Sequence, residues 1–146
     1  MDLICSWTDI AGAECSQQGV EIVPSLLIEL PHGATNTAHF QRYRDFLLGS
    51  FPDQLEDFFH VNTDIGTPEC AAEIAAAYVK IFPSRRVRII RCHIPRTFID
   101  CNRVIDAQPD AFQQGKVTPG IPSYVTNQQD QQWLQEQYYK YHSIVT

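Results

Sequence analysis

The chain has 146 residues, 44% of them hydrophobic and 19% charged, with a formal net charge of −6 and a pI near 5.2. That length suits one domain, 1–146, with a real core. The acidic balance and the lack of a basic stripe argue against nucleic acid, and no apolar run is long enough for a membrane span. Arg85, Arg86, Arg88 and Arg91 come nearest to a basic patch, and they read better as strand-edge, solvent-facing charge.

In chain order, residues 1–21 are weakly patterned and read as an irregular lead-in. The start Met1-Asp2-Leu3-Ile4-Cys5 has neither the basic residues nor the long apolar segment of a signal peptide. Residues 22–30 read as a buried strand that breaks off in Pro31-His32-Gly33-Ala34-Thr35-Asn36. Ala38 to Leu48 has Phe40, Tyr43, Phe46 and Leu47 at helical spacing, with Gly49 placed to end it. A polar-aromatic loop, 51–57, precedes a short strand candidate, Phe58 to Thr63. From Thr67 the pattern is strongly helical: Thr67 as cap, Pro68 in the first turn, Glu69 and Glu73 near the positive end, and Pro83 as the stop after Phe82.

Val87 to Ile94 is an apolar strand, and it leads into Pro95-Arg96-Thr97-Phe98-Ile99-Asp100-Cys101-Asn102-Arg103. Residues 104–126 carry Pro109, Gly115, Pro119, Gly120 and Pro122 and read as a long loop of functional character. A last helix begins near Gln128 with Asn127 as its cap, and its apolar face is Trp133, Leu134, Tyr138 and Tyr141. Strand and helix alternate, which predicts an α/β domain with a mostly parallel mixed sheet flanked by helices. Apolar residues are still arriving at Thr146, as if a C-terminal part were incomplete.

The five cysteines, Cys5, Cys15, Cys70, Cys92 and Cys101, are odd in number and lack CxxC spacing. That argues against a disulfide framework or a cysteine zinc site and for a reducing, cytoplasmic setting. Cys70 and Cys92 read as small buried apolar groups, and Cys101 reads as packing ahead of catalysis.

The chemistry concentrates in two strand-end loops. His32 sits between a proline and a glycine, so the backbone turns and the imidazole can face a cleft. Arg96 and Arg103, beside Asp100 and Asn102, can grip a carboxylate by paired hydrogen bonds. The plainer alternatives are a loop histidine bonded to backbone and a buried Asp–Arg network tying a loop to the sheet.

Pro31-His32-Gly33-Ala34-Thr35, then Asn62-Thr63-Asp64-Ile65-Gly66, then Pro95 to Arg103, resemble in that order the signature of N-formylglutamate amidohydrolases. That family is similar to the zinc carboxypeptidases and the aspartoacylase group, and the resemblance covers roughly residues 22–146. It implies a phosphorylase/hydrolase-like α/β fold and a zinc cofactor held by His32 and Asp64. Arg96 would polarise the scissile carbonyl, and Asn102 and Arg103 would bind the substrate's free carboxylate. Asp100 would hold the arginines, with Thr35 also placed at the substrate. Where related carboxypeptidases carry a glutamate ligand three positions after the first histidine, this chain has Thr35. Asp64 has a competing role as the cap of the turn before Gly66, and Glu29 is a further candidate base. Family members continue past the equivalent of residue 146, and that part supplies more sheet and a further zinc-ligand histidine.

The implied reaction is zinc-dependent hydrolysis of a small anionic N-acyl amino acid, most simply N-formyl-L-glutamate. The alternative is a carboxylate-binding domain, or half of an enzyme completed by a homo-oligomeric partner or a C-terminal segment.

Overall fold

The computed structural model describes residues 3–15, 23–105 and 119–146. Within them lie three strands, β1 (Cys5–Ala11), β2 (Leu26–Leu30) and β3 (Arg86–Cys92). Four helices accompany them: α1 (Thr37–Arg44), α2 (Leu55–Val61), α3 (Thr67–Ile81) and α4 (Gln128–Val145). None of these helices is long and apolar enough to cross a membrane.

The sheet order is β1-β3-β2, with β3 central. β2 runs parallel to β3, Leu26 opposite Val87 and Leu30 opposite Arg91. β1 runs antiparallel, Cys5 opposite Cys92 and Ala11 opposite Arg86. The fold is therefore α/β around a small mixed sheet, with one pairing of each kind rather than the mostly parallel sheet expected. The irregular lead-in is corrected by β1. As an edge strand, β1 exposes most of its residues, and only Cys5 is fully buried, so it carries little hydrophobic pattern.

β3 is buried on both faces, as its alternation dictates. Val87 and Ile89 join Leu30 and the α3 residues Ala71, Ala75 and Val79. Ile90 and Cys92 join a larger core of Phe40, Tyr43, Phe59, Phe98, Leu134 and Tyr141 on the opposite face. Helices thus cover both sides of the sheet.

The α2 segment departs furthest from the sequence reading, which took 51–57 as loop and Phe58–Thr63 as strand. Leu55 and Phe59, four apart, are its buried residues, and Glu56 and Asp57 occupy its first turn. A helix of seven residues gives too few turns for periodicity to separate it from a strand.

α1 ends at Arg44 rather than near Leu48. The amides of Leu48 and Gly49 turn instead to the Asp130 carboxylate at 2.9 and 2.8 Å, tying this corner to the start of α4. α3 starts on Gly66, whose φ of 88° places it in the left-handed region that glycine tolerates. Thr67 is the first helical residue, not the cap; its hydroxyl donates to the Asp64 carbonyl at 2.7 Å. α4 begins as expected: Asn127 Oδ1 accepts from the amides of Gln129 and Asp130. Cys70, read as buried, is exposed on α3, whereas Cys5, Cys92 and Cys101 are buried.

Candidate functional site

Because β2 and β3 are parallel, their carboxyl ends lie at the same edge of the sheet. The loops 31–36 and 93–105 leave from that edge, the usual position for ligands in α/β proteins. The loop after α2, 62–66, meets them there through Asp64.

His32 is the centre of the meeting. It is 9% exposed, and both ring nitrogens face carboxylates. Nε2 lies 2.8 Å from Asp100 Oδ1 and Nδ1 lies 3.0 Å from Asp64 Oδ2. Neutral imidazole has one N–H, and two carboxylate acceptors call for two donors. The arrangement therefore holds the imidazolium, or holds another cation where one proton would be. The Asp100 hydrogen bond is the chief reason that the His32 pKa lies above its ordinary 6.5; burial works against it, and Asp64 adds to the rise.

Asp100 is the hub. Its Oδ1 also accepts the Asn102 backbone N–H at 2.9 Å, and its Oδ2 accepts Arg96 Nε at 3.0 Å. Arg103 Nε is 3.5 Å from the same Oδ2. Burial on its own would raise the Asp100 pKa. The hydrogen bonds from His32 and Asn102 and the positive field of His32 and Arg96 outweigh it, and the carboxyl stays below its ordinary 3.8. Asp64 is different: its side chain is 50% exposed, so the Nδ1 side of His32 is the side that meets solvent.

The loop bearing His32 is fixed by Arg91. Its Nε donates to the Gly33 carbonyl and its Nη2 to Thr35 Oγ1, both at 2.7 Å. Gly33 lets the loop lie against β3, since a Cβ there would be 2.5 Å from Arg91 Cγ and 2.8 Å from the Cys92 carbonyl oxygen. Thr35, expected at the substrate, thus has its hydroxyl engaged by Arg91. Arg91 itself was read as solvent-facing charge and is instead the brace of the site. The signal for it was its odd-numbered position on β3, the side on which buried Val87 and Ile89 lie.

Glu29, the other carboxylate considered, accepts from the Tyr141 hydroxyl at 2.9 Å and so pins α4 to β2. His93 engages Ser6 and stacks on His39, and His60 meets the Thr37 hydroxyl. Cys101 is buried against Cys92, and that contact, with burial, drives its thiol pKa well up, so it packs as expected.

Beside the cluster lies a cavity of about 350 Å³, with Arg96, Asp100 and Asn62 on its wall and Phe58, Ile121 and Tyr124 among its other lining residues. The described end of the 104–126 loop therefore borders the site; residues 106–118 lie outside the described residues. A roomier cavity of about 490 Å³, also bordered by residues 119–123, has no titratable group among its described lining residues.

Comparison with family models, curated proteins and solved structures finds no match to this chain.

The donors present supply part of a zinc site. A metal on Nδ1 of His32 would have Asp64 as its carboxylate neighbour, while Asp100 acts through the ring from Nε2. That makes two donors, where catalytic zinc takes three protein ligands. Among the described residues no group of three His, Cys, Asp or Glu side chains converges on a metal position.

Proposed function

We propose that this chain is a zinc-dependent amidohydrolase of N-acyl amino acids, akin to the N-formylglutamate amidohydrolases, on a hydrolase-like α/β fold. One observation carries the reading. Segments far apart in sequence bring His32, Asp64, Asp100 and Arg96 into contact at the carboxyl edge of the sheet, and they are the segments on which the resemblance rests.

In this reading Asp100 holds Nε2 of His32 and fixes the ring, leaving Nδ1 and Asp64 to hold the metal on the accessible side. Among the described residues no third ligand joins them. Zinc would supply hydroxide near neutral pH by lowering the pKa of a bound water. Arg96 spends its Nε on Asp100, and its terminal nitrogens are assigned to the acyl oxygen, where charge develops as the amide is attacked. Arg103 and the Asn102 side chain, both exposed, are assigned to the substrate carboxylate. Burying Asp100 beneath them keeps the arginines aimed and their charge partly balanced.

A second reading is supported by His32 itself. Both of its nitrogens stand at hydrogen-bond distance from carboxylates, which suits two protons as well as a metal. A metal-free carboxylate-binding domain would use the same Arg96–Asn102–Arg103 set. Zinc content of the folded chain, measured after zinc is supplied, separates the two. The hydrolase reading expects about one zinc per chain, lost in His32→Ala, with formate released from N-formyl amino acids. Zinc absent from both proteins would refute it and leave the binding domain.

A further inference from the structure

Among the described lining residues of the cavity beside Arg96 and Asp100, those two carry its charge. Phe58, Ile121, Pro122 and the ring of Tyr124 line much of the rest, with Asn62 and Ser123 as neutral polar groups. The Tyr124 hydroxyl is not available to a ligand as a free polar tip: it donates to the Thr97 carbonyl at 2.5 Å. Burial pushes its pKa up to about 12, so it brings no charge either.

A second cavity of about 460 Å³ adjoins the first, because Phe58 and Tyr124 line both. Its other walls include Pro52, Leu55 and Val61, and its titratable lining residue is acidic, Asp57. Phe58 and Val61 lie on one face of α2, three apart, and are 48% and 84% exposed.

The charge count across both cavities is uneven. Among the described lining residues the one cation is Arg96, against Asp100 and Asp57. Arg96 is itself bonded to Asp100. A substrate with one carboxylate can be met by Arg103 and Asn102 at the rim. A second carboxylate, extended into the cavity, would face Phe58, Tyr124 and the two aspartates with no cation of its own. Desolvating a carboxylate without a partner is strongly unfavourable, whereas an apolar side chain there gains by burial.

We propose that the Phe58–Tyr124 trough is a side-chain subsite that selects N-acyl derivatives of hydrophobic amino acids over N-formylglutamate. The inference rests on the amidohydrolase reading for the placement of the substrate's carboxylate and acyl group, and it replaces the acidic side chain with an apolar one.

The test is calorimetric titration of the zinc-supplied chain with N-formyl-L-phenylalanine and with N-formyl-L-glutamate, each followed by an assay for released formate. The phenylalanine compound is expected to bind at least about tenfold more tightly, the least that burying an aromatic side chain should give. Phe58→Asp should cut that preference about fivefold or more, and Val61→Asp, at a more exposed position, should weaken it in the same direction. Thermal melts of both variants check that they fold. Equal or tighter binding of the glutamate compound overturns the inference, as does a preference that neither variant changes. Binding of the phenylalanine compound without formate release overturns the hydrolase reading and supports the subsite. Binding of neither compound overturns both.

Discussion

Replacing Asp100 with alanine should cost more than any other single change at the site, and the pH dependence of that cost is its signature. The carboxylate accepts from His32, Asn102 and Arg96 and pairs with Arg103, and its side chain is 10% exposed. Removing it leaves a buried imidazole N–H and two guanidinium groups without their acceptor. Breaking a buried charge pair by deleting one partner costs about 3–5 kcal/mol. Arg96 and Arg103 are 29% and 41% exposed and recover solvation, so the lower end, about 3 kcal/mol, is expected. Unfolding entropy near 2.1 cal/mol/K per residue over 146 residues is about 0.3 kcal/mol/K, so Tm should fall by roughly 10 °C. The signs with pH follow from the two shifts. His32 has a raised pKa, so its contribution is complete below 6.5 and is lost as pH rises through the folded value. Asp100 has a lowered pKa, so its contribution is present above 3.8 and is lost as pH falls through the folded value. The cost of Asp100→Ala should therefore be greatest between about pH 4 and 6.5 and shrink on either side. Urea denaturation of both proteins across that range measures it. A cost under about 1 kcal/mol at pH 5.5, or one that grows steadily above pH 7, would refute the account of Asp100 as the hub.

Other changes follow from the same contacts. Gly33→Ala places a Cβ 2.8 Å from the Cys92 carbonyl oxygen, so it should cost about 1–3 kcal/mol by chemical denaturation and lower zinc uptake by moving the His32 loop. His39 is desolvated and faces His93, Arg91 and Arg42, which lower its pKa from 6.5 to about 4. Its contribution has the opposite sign to that of His32: stability rises with pH between those values. NMR titration should find the two imidazoles on opposite sides of 6.5, and a His39 midpoint at or above 6.5 would contradict its burial. Asp9→Asn loosens the paired bonds from Arg88 at 2.7 and 2.8 Å on a part-exposed strand face; a loss of about 0.5–1 kcal/mol is expected at pH 7, vanishing in acid as the lowered Asp9 pKa is passed. Tyr141→Phe removes the hydroxyl that α4 gives to Glu29 and should cost about 1 kcal/mol without altering zinc content.

The sequence made some elements legible and hid others for physical reasons. α3 was clear because Pro68, Glu69 and a run of small apolar residues agree with one another, and Ala71, Ala75 and Val79 bury at helical spacing. β3 and α4 were clear for the same kind of agreement, down to the Asn127 cap. β1 was hidden because an edge strand needs no alternation when its partner supplies the core. α2 was hidden because Phe58-Phe59-His60-Val61 is as apolar as a short strand and only the contact of Leu55 and Phe59 with the core decides. Among the site residues, His32, Arg96 and Asp100 could be named from residue type and position after strands, and Asp64, which follows α2, only from the resemblance. That Asp100, and not a metal donor, would be the most heavily bonded group could not. Its four partners come from the loops after β2 and β3, and their meeting depends on the parallel pairing of those strands.

The two sides of His32 differ in how firmly they are held. Asp100 is buried, keeps a lowered pKa and is bonded on both oxygens, so its side of His32 is set whatever the ring carries on the other. Asp64 is half-exposed and makes one contact with the ring, so the gap between Nδ1 and Asp64 is the adjustable part. In the metal-free chain a proton on Nδ1 would close it. A divalent cation would have to displace that proton, so its apparent affinity should climb as pH rises through the folded His32 pKa, by about tenfold per unit below it. The same rise in pH removes the contribution of His32 to stability, and bound metal would restore it. Zinc should therefore stabilise the chain more at pH 8 than at pH 6. Stabilisation that is equal at both, or that survives in His32→Ala, would mean that zinc binds elsewhere and that the Nδ1–Asp64 gap holds a proton only.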